Sequence, residues 1–188
     1  MLKLAAIIGT VVIGVTALFF YYAGMFDRVE LTWETRGPYL LVYREHHGPY
    51  NEVRYVMNTV YRYVRDTLHL KTGTGFAAFY DDPQEGSDSE LRSICGVVVD
   101  DSVAALSPYK SGIFRRTDAV IGTVYLRSFF SYAVGGYRFY ARLRQFTEKH
   151  TIARAGPVFE LYDMSGRTIQ YIAPIGKSAS PVPEFGGN

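Results

Sequence analysis

The sequence has one cysteine, one tryptophan and four histidines among 188 residues, and 20 basic against 18 acidic side chains leave a formal net charge of only +2. A single thiol excludes an internal disulfide, so nothing in the chain calls for an oxidising compartment. Balanced charge excludes bulk attraction to nucleic acid, and the clusters Arg115-Arg116 and Arg138, Arg142, Arg144 read as solvated surface. His46 and His47 would point to opposite faces of a strand, and His69, His150 and Cys95 add no ligand spacing, so no metal site is expected. Cys95, in an apolar Ile-Cys-Gly-Val-Val-Val run, reads as a small core residue rather than a reactive thiol. Lys71-Thr-Gly-Thr-Gly75 follows a helical pattern and precedes a strand, the reverse of a phosphate loop, and no cofactor is expected. Neither a Ser-His-Asp nor a Cys-His pattern stands out, so no catalytic residue is assigned and a hydrolase is the least favoured reading.

Uncharged length, by contrast, is present. Leu4 to Phe26 carries no ionisable acid or base and is long enough, as a helix, to cross a hydrocarbon core of about 30 Å. It predicts a single-pass anchor in a lipid bilayer (residues 1–27), with Tyr21 and Tyr22 at its interface, followed by a juxtamembrane linker over 28–37. Lys3 lies before the run and Arg28, Arg36 and Arg44 after it, which favours the large domain on the cytosolic side. The 16 tyrosines and 12 phenylalanines imply a ring-lined interior or cleft.

Beyond the anchor the chain reads as one domain, 38–176, holding two repeats, about 38–101 and 118–175, with a short flexible tail at 177–188. In the first repeat, Leu40 to Tyr43 is strand-like, and Val53, Val56, Met57, Val60, Val64 and Leu68 recur at helical spacing. Strands follow at Gly75 to Tyr80 and Ile94 to Asp100, separated by the polar loop Asp81 to Ser93. The second repeat has the same order: Ala119 to Leu126, a helix over Phe129 to Lys149, then Val158 to Tyr162 and Thr168 to Ala173. Laying Val42-Tyr43 on Val124-Tyr125 also brings Tyr50 onto Tyr132, Tyr55 onto Tyr137, Arg62 onto Arg144 and Tyr80-Asp81 onto Tyr162-Asp163 without a gap. The fold class expected is therefore α+β, a duplicated β-α-β-β module forming a largely antiparallel sheet with two main helices, plus the amino-terminal helix.

On that alignment Glu160 falls opposite Ala78, so one copy carries an acid where the other has a methyl. In a strand its face-mates are Val158 and Tyr162. An acid on an apolar, tyrosine-bearing face suits the floor of a pocket for a cation, although an exposed or arginine-paired glutamate fits the same pattern. Glu160, Tyr162, Tyr80 and Tyr137 are the candidate ligand-binding residues. Gly135-Gly136 inside the second helix suggests close packing or ligand approach there.

The duplication, Gly48-Pro49-Tyr50 before the first helix, and the ending Pro157-Val-Phe-Glu-Leu-Tyr-Asp163 with Tyr171-Ile-Ala-Pro-Ile175 resemble the GyrI-like, or effector-binding, domains of AraC- and MerR-type regulators. With Arg28-Val-Glu-Leu and Phe79-Tyr-Asp-Asp-Pro83 after an apolar run, the chain resembles the membrane-anchored members of that family in particular. The resemblance implies a non-catalytic domain that binds a cationic or aromatic small molecule, or a protein partner, with Glu160 as the acid beside Tyr162. It also implies a single-pass protein of the endoplasmic reticulum with its domain cytosolic and an adaptor role; another organelle membrane, such as the mitochondrial inner membrane, is the alternative. Gly-Lys-Ser-Ala-Ser-Pro-Val-Pro-Glu-Phe-Gly-Gly-Asn at the end has no aromatic-x-x-aliphatic motif, so an autophagy-receptor role is not expected. A structural accessory subunit of a membrane complex is the second reading.

Overall fold

The computed structural model describes residues 2–22, 24, 28–81, 87–163, 165–176 and 179–187, except for the side chains at 2, 4–6, 129 and 133. Its elements run α1 (Leu2–Tyr22), β1 (Leu31–Arg36), β2 (Tyr39–His47), α2 (Val53–Asp66), β3 (Thr74–Phe79), β4 (Arg92–Val99), β5 (Lys110–Phe114), β6 (Thr117–Tyr125), α3 (Phe129–His150), β7 (Phe159–Asp163) and β8 (Thr168–Pro174). All eight strands form one sheet in the order β1-β6-β8-β7-β3-β4-β2-β5. Every pairing is antiparallel.

The order is palindromic about the β7/β3 junction. On one side stand β6, β8 and β7, on the other β2, β4 and β3, so each β-α-β-β module supplies three strands and the modules meet at their second strands. Helix α2 buries the stripe Val53, Val56, Val60 and Val64, one side chain every three or four residues, against β2, β3 and β4. Helix α3 lies over β6. A reciprocal cap starts it: Ser131 N donates to Ser128 Oγ, and Ser128 N donates to Ser131 Oγ. Both helices thus cover one face of the sheet, and Val53 and Val56 of α2 share a core cluster with Phe139 and Leu143 of α3.

The opposite face is concave. Phe159 on β7 and Phe114 on β5 have ring centroids 4.5 Å apart although three strands separate them. At ~4.8 Å per strand spacing a flat sheet would hold them about 19 Å apart, so the sheet curls into a half-barrel and the rings close it. Phe76, Ile94, Ile121 and Ile172 fill the same interior.

Several expectations change. Residues 31–36, expected within a linker, form β1 and pair with β6 from Leu31↔Gly122 to Arg36↔Thr117. Residues 179–187, expected as a flexible tail, pack on the concave face, where Val182 is buried. Helix α1 is present and its apolar side chains from Ile7 to Tyr22 are largely exposed. Among the described residues, however, no helix is long and apolar enough to cross a membrane. Residues 23 and 25–26 of the expected span, and 82–86 of the acidic loop, lie outside the described residues.

The paired glycines of α3 explain its close approach. A Cβ on Gly135 would lie 2.3 Å from Val124 Cγ1, whereas one on Gly136 would meet only the Tyr171 hydroxyl, at 3.2 Å. Gly135→Ala is expected to cost about 1–3 kcal/mol of overpacking, partly offset by ~1 kcal/mol of helix propensity. Gly136→Ala should stay within about 1 kcal/mol of the parent, because the propensity gain opposes a milder contact. Thermal unfolding of both variants in mild detergent checks the difference; equal stabilities would contradict the packing described.

Candidate functional site

Strand alternation puts Glu160 and Tyr162 on the helix-facing side of β7, with Val158 just before it, at the sheet centre beneath the helices. Register sets the neighbours: Glu160 pairs with Ala77 on β3 and with Tyr171 on β8. Ala77 provides a methyl-sized gap beside the acid. Helix α3 supplies the roof, where Tyr132, Gly136 and Tyr140 recur every four residues and share one face.

Among the described residues, the carboxylate is held by two tyrosine hydroxyls. Tyr162 Oη donates to Glu160 Oε2 at 2.6 Å, and Tyr140 Oη donates to Oε1 at 3.2 Å. Tyr132 and Tyr162 hydroxyls lie 3.4 Å apart, extending the chain of hydrogen bonds toward the surface. Tyr171 stacks on Phe139 at 4.5 Å and meets Tyr140 edge-on at 6.2 Å. Glu160 is 5% exposed and Tyr162 8%, whereas Tyr132 is 47% exposed and Tyr140 36%, so those two rings lie between the acid and solvent.

Burial pushes the Glu160 carboxyl up to about 7, with the Tyr162 and Tyr140 hydrogen bonds pulling it partway back. Among the described residues no cation forms an ion pair with it. Burial, and then the nearby Glu160 charge, raise Tyr140, Tyr162 and Tyr171 well above ordinary tyrosine, so all three remain hydroxyl donors at neutral pH. Among the described residues, the arrangement is a buried acid with tyrosine hydroxyls as its partners and no opposite charge.

Of the four candidate residues, the structure brings Glu160 and Tyr162 together. Tyr80 lies just beyond β3 and donates its hydroxyl to Pro183 O near the concave face. Tyr137 is 79% exposed on the outside of α3. Its alignment partner Tyr55 is 70% exposed on α2, so that repeat match recorded two equivalent surface positions. Ala78 is not the structural counterpart of Glu160: Ala78 faces the concave interior and Glu160 the helices, so the alignment slips by one residue at each module's second strand while holding at Val42 and Val124. Tyr132, Tyr140 and Tyr171 were missed. The four-residue spacing Tyr132-Gly136-Tyr140 was the available signal for two of them.

Other groups are inert or belong elsewhere. Cys95 is fully buried and burial pushes its thiol up to about 12. Among the described residues no group of three metal-ligating side chains is assembled. A cavity of about 210 Å³ near the start of α3 is lined by Arg28, Arg127, Arg138, Ser131 and Gly135 and does not include Glu160.

No protein-family model matches the chain, and no curated protein matches it. Solved structures do. The C-terminal domain of EcmrR superposes with a TM-score of 0.60 at 12% identity, over 80% of this chain and 99% of that one. SAV2435, solved bound to tetraphenylphosphonium, gives 0.52 at 10% identity over 78% and 94%. A hydrolase from Listeria innocua gives 0.51 at 13% identity over 84% and 98%. The chain therefore has the α+β fold of the effector-binding, GyrI-like domains.

Proposed function

We propose that the domain binds an organic cation with aromatic or otherwise broad apolar surface, its charge set against Glu160 and its body between the tyrosines of α3 and the sheet. The observation that carries this reading is the buried carboxylate held by two tyrosine hydroxyls and no cation. SAV2435, of like fold, was solved with such a cation, tetraphenylphosphonium. Entry requires Tyr132 and Tyr140 to swing aside. The test is calorimetric titration of the full chain with tetraphenylphosphonium at pH 8. Glu160→Gln is expected to weaken binding about 10- to 100-fold, the range of one partly desolvated charge interaction. Equal affinity in parent and variant, or no binding to the parent, overturns the reading.

The exposed apolar surface of α1, from Ile7 to Tyr22, favours a second element of function: attachment of the domain to a bilayer, with the endoplasmic reticulum and a cytosolic domain as the placement proposed. The Arg127 guanidinium, 5.9 Å from the Tyr21 ring, sits where such a helix would leave the lipid. The full chain should stay with microsomal membranes through alkaline carbonate washing and its domain should remain protease-accessible. Release by carbonate, or protection of the domain, would contradict this.

A further inference from the structure

We propose that the concave face of the half-barrel is a groove for a short extended peptide of the form aliphatic-Pro-x-aromatic, filled in this chain by its own residues 179–187. The groove reads that segment mainly through its backbone. The Arg115 guanidinium donates to Ser180 O and the Tyr80 hydroxyl to Pro183 O. Lys110 Nζ donates to Gly187 O at 2.7 Å, Gly186 N donates to Glu45 Oε1 at 2.8 Å, and Arg115 N donates to Pro181 O at 2.9 Å. Contacts of this kind hold an extended chain without dictating its side chains, the logic of peptide grooves.

Two side chains act as anchors. Val182 is 2% exposed and joins the concave cluster. Phe185 meets His47 edge-on at 4.7 Å and Tyr80 at 5.8 Å, with the Arg92 guanidinium 5.9 Å from its ring. Between them Glu184 points outward and is exposed. Pro181 and Pro183 fix the backbone near an extended form, which lowers the ordering cost of docking. An open surface pocket of about 310 Å³ runs along the segment, between Pro181, Pro183 and Glu184 on one side and Ser111, Gly112 and Ile113 on the other. The groove lies on the opposite face of the sheet from Glu160, so this inference and the cation-binding reading stand or fall separately.

The test keeps the whole chain. A specific protease site is placed between Gly176 and Ala179, the chain is cut, and a fluorescein-labelled peptide of residues 179–187 is added while anisotropy is read. The nicked chain should bind the label, and a peptide carrying Phe185→Ala should bind at least tenfold more weakly. The uncut chain should bind at least 100-fold more weakly, because its tethered segment competes at roughly millimolar effective concentration. Circular dichroism should show the sheet intact throughout. The inference is overturned if the nicked chain retains its segment and takes up no label, if cut and uncut chains bind alike, or if release of the segment unfolds the sheet.

Discussion

Replacing Glu160 with Gln is expected to stabilise the protein at pH 8 by about 3 kcal/mol and to leave it nearly unchanged at pH 4.5. Burial raises this carboxyl from its ordinary 4.5 to about 7 in the folded chain. Between those values the native state binds the proton more tightly than the unfolded state, so the group's contribution is fully present below about 4.5 and is lost as pH rises through about 7. Gln cannot titrate, and its carbonyl can still accept from one of the two tyrosines. Mutant minus parent stability should therefore climb across this window and then level off. On a chain of this size the plateau corresponds to a rise in midpoint of roughly 6–12 °C. Thermal unfolding of both proteins at half-unit pH steps measures it, and parallel profiles would show that Glu160 is not desolvated as described. Asp66, which is exposed, and the half-buried Asp81 and Asp163, held low by a neighbouring arginine or by hydrogen bonds within a turn, change stability in the opposite sense and cancel in the comparison.

Phe159→Ala should be the most damaging change in the sheet, costing about 3–5 kcal/mol. The ring is fully buried and touches Phe114 at 4.5 Å and Phe76 at 5.0 Å, with Tyr39 stacked at 6.2 Å. These partners come from β5, β3 and β2, so truncation opens a cavity where the curl closes rather than at one strand pair. Denaturant unfolding in mild detergent checks it. A loss below about 1 kcal/mol would mean that the curl is held elsewhere.

The elements that carry two-sided burial were legible in the sequence. The valine stripe of α2 and the continuous apolar runs of β4, β6 and β8 follow directly from helical and strand periods. The edge strands β1 and β5 were not, because each is half exposed: Leu-Thr-Trp-Glu-Thr-Arg buries no position fully, Lys-Ser-Gly-Ile-Phe only its last, and both are defined by pairing with β6 and β2. Glu160 and Tyr162 were found because period two is unambiguous within a short strand. Tyr80 and Tyr137 were chosen through the repeat, which preserves topology but not strand phase or which helical face is buried. Tyr171 reaches the acid through register between β7 and β8, and single-sequence patterning does not encode which residues lie opposite one another.

Carbon-13 NMR titration of the glutamate side chains, with the Glu160 signal assigned by its loss in Glu160→Gln, addresses the carboxylate itself. A midpoint near 7 in the free protein, falling into the ordinary glutamate range when tetraphenylphosphonium is added, is the predicted result. A midpoint near 4.5 that ignores the cation would contradict a desolvated acid awaiting a positive ligand.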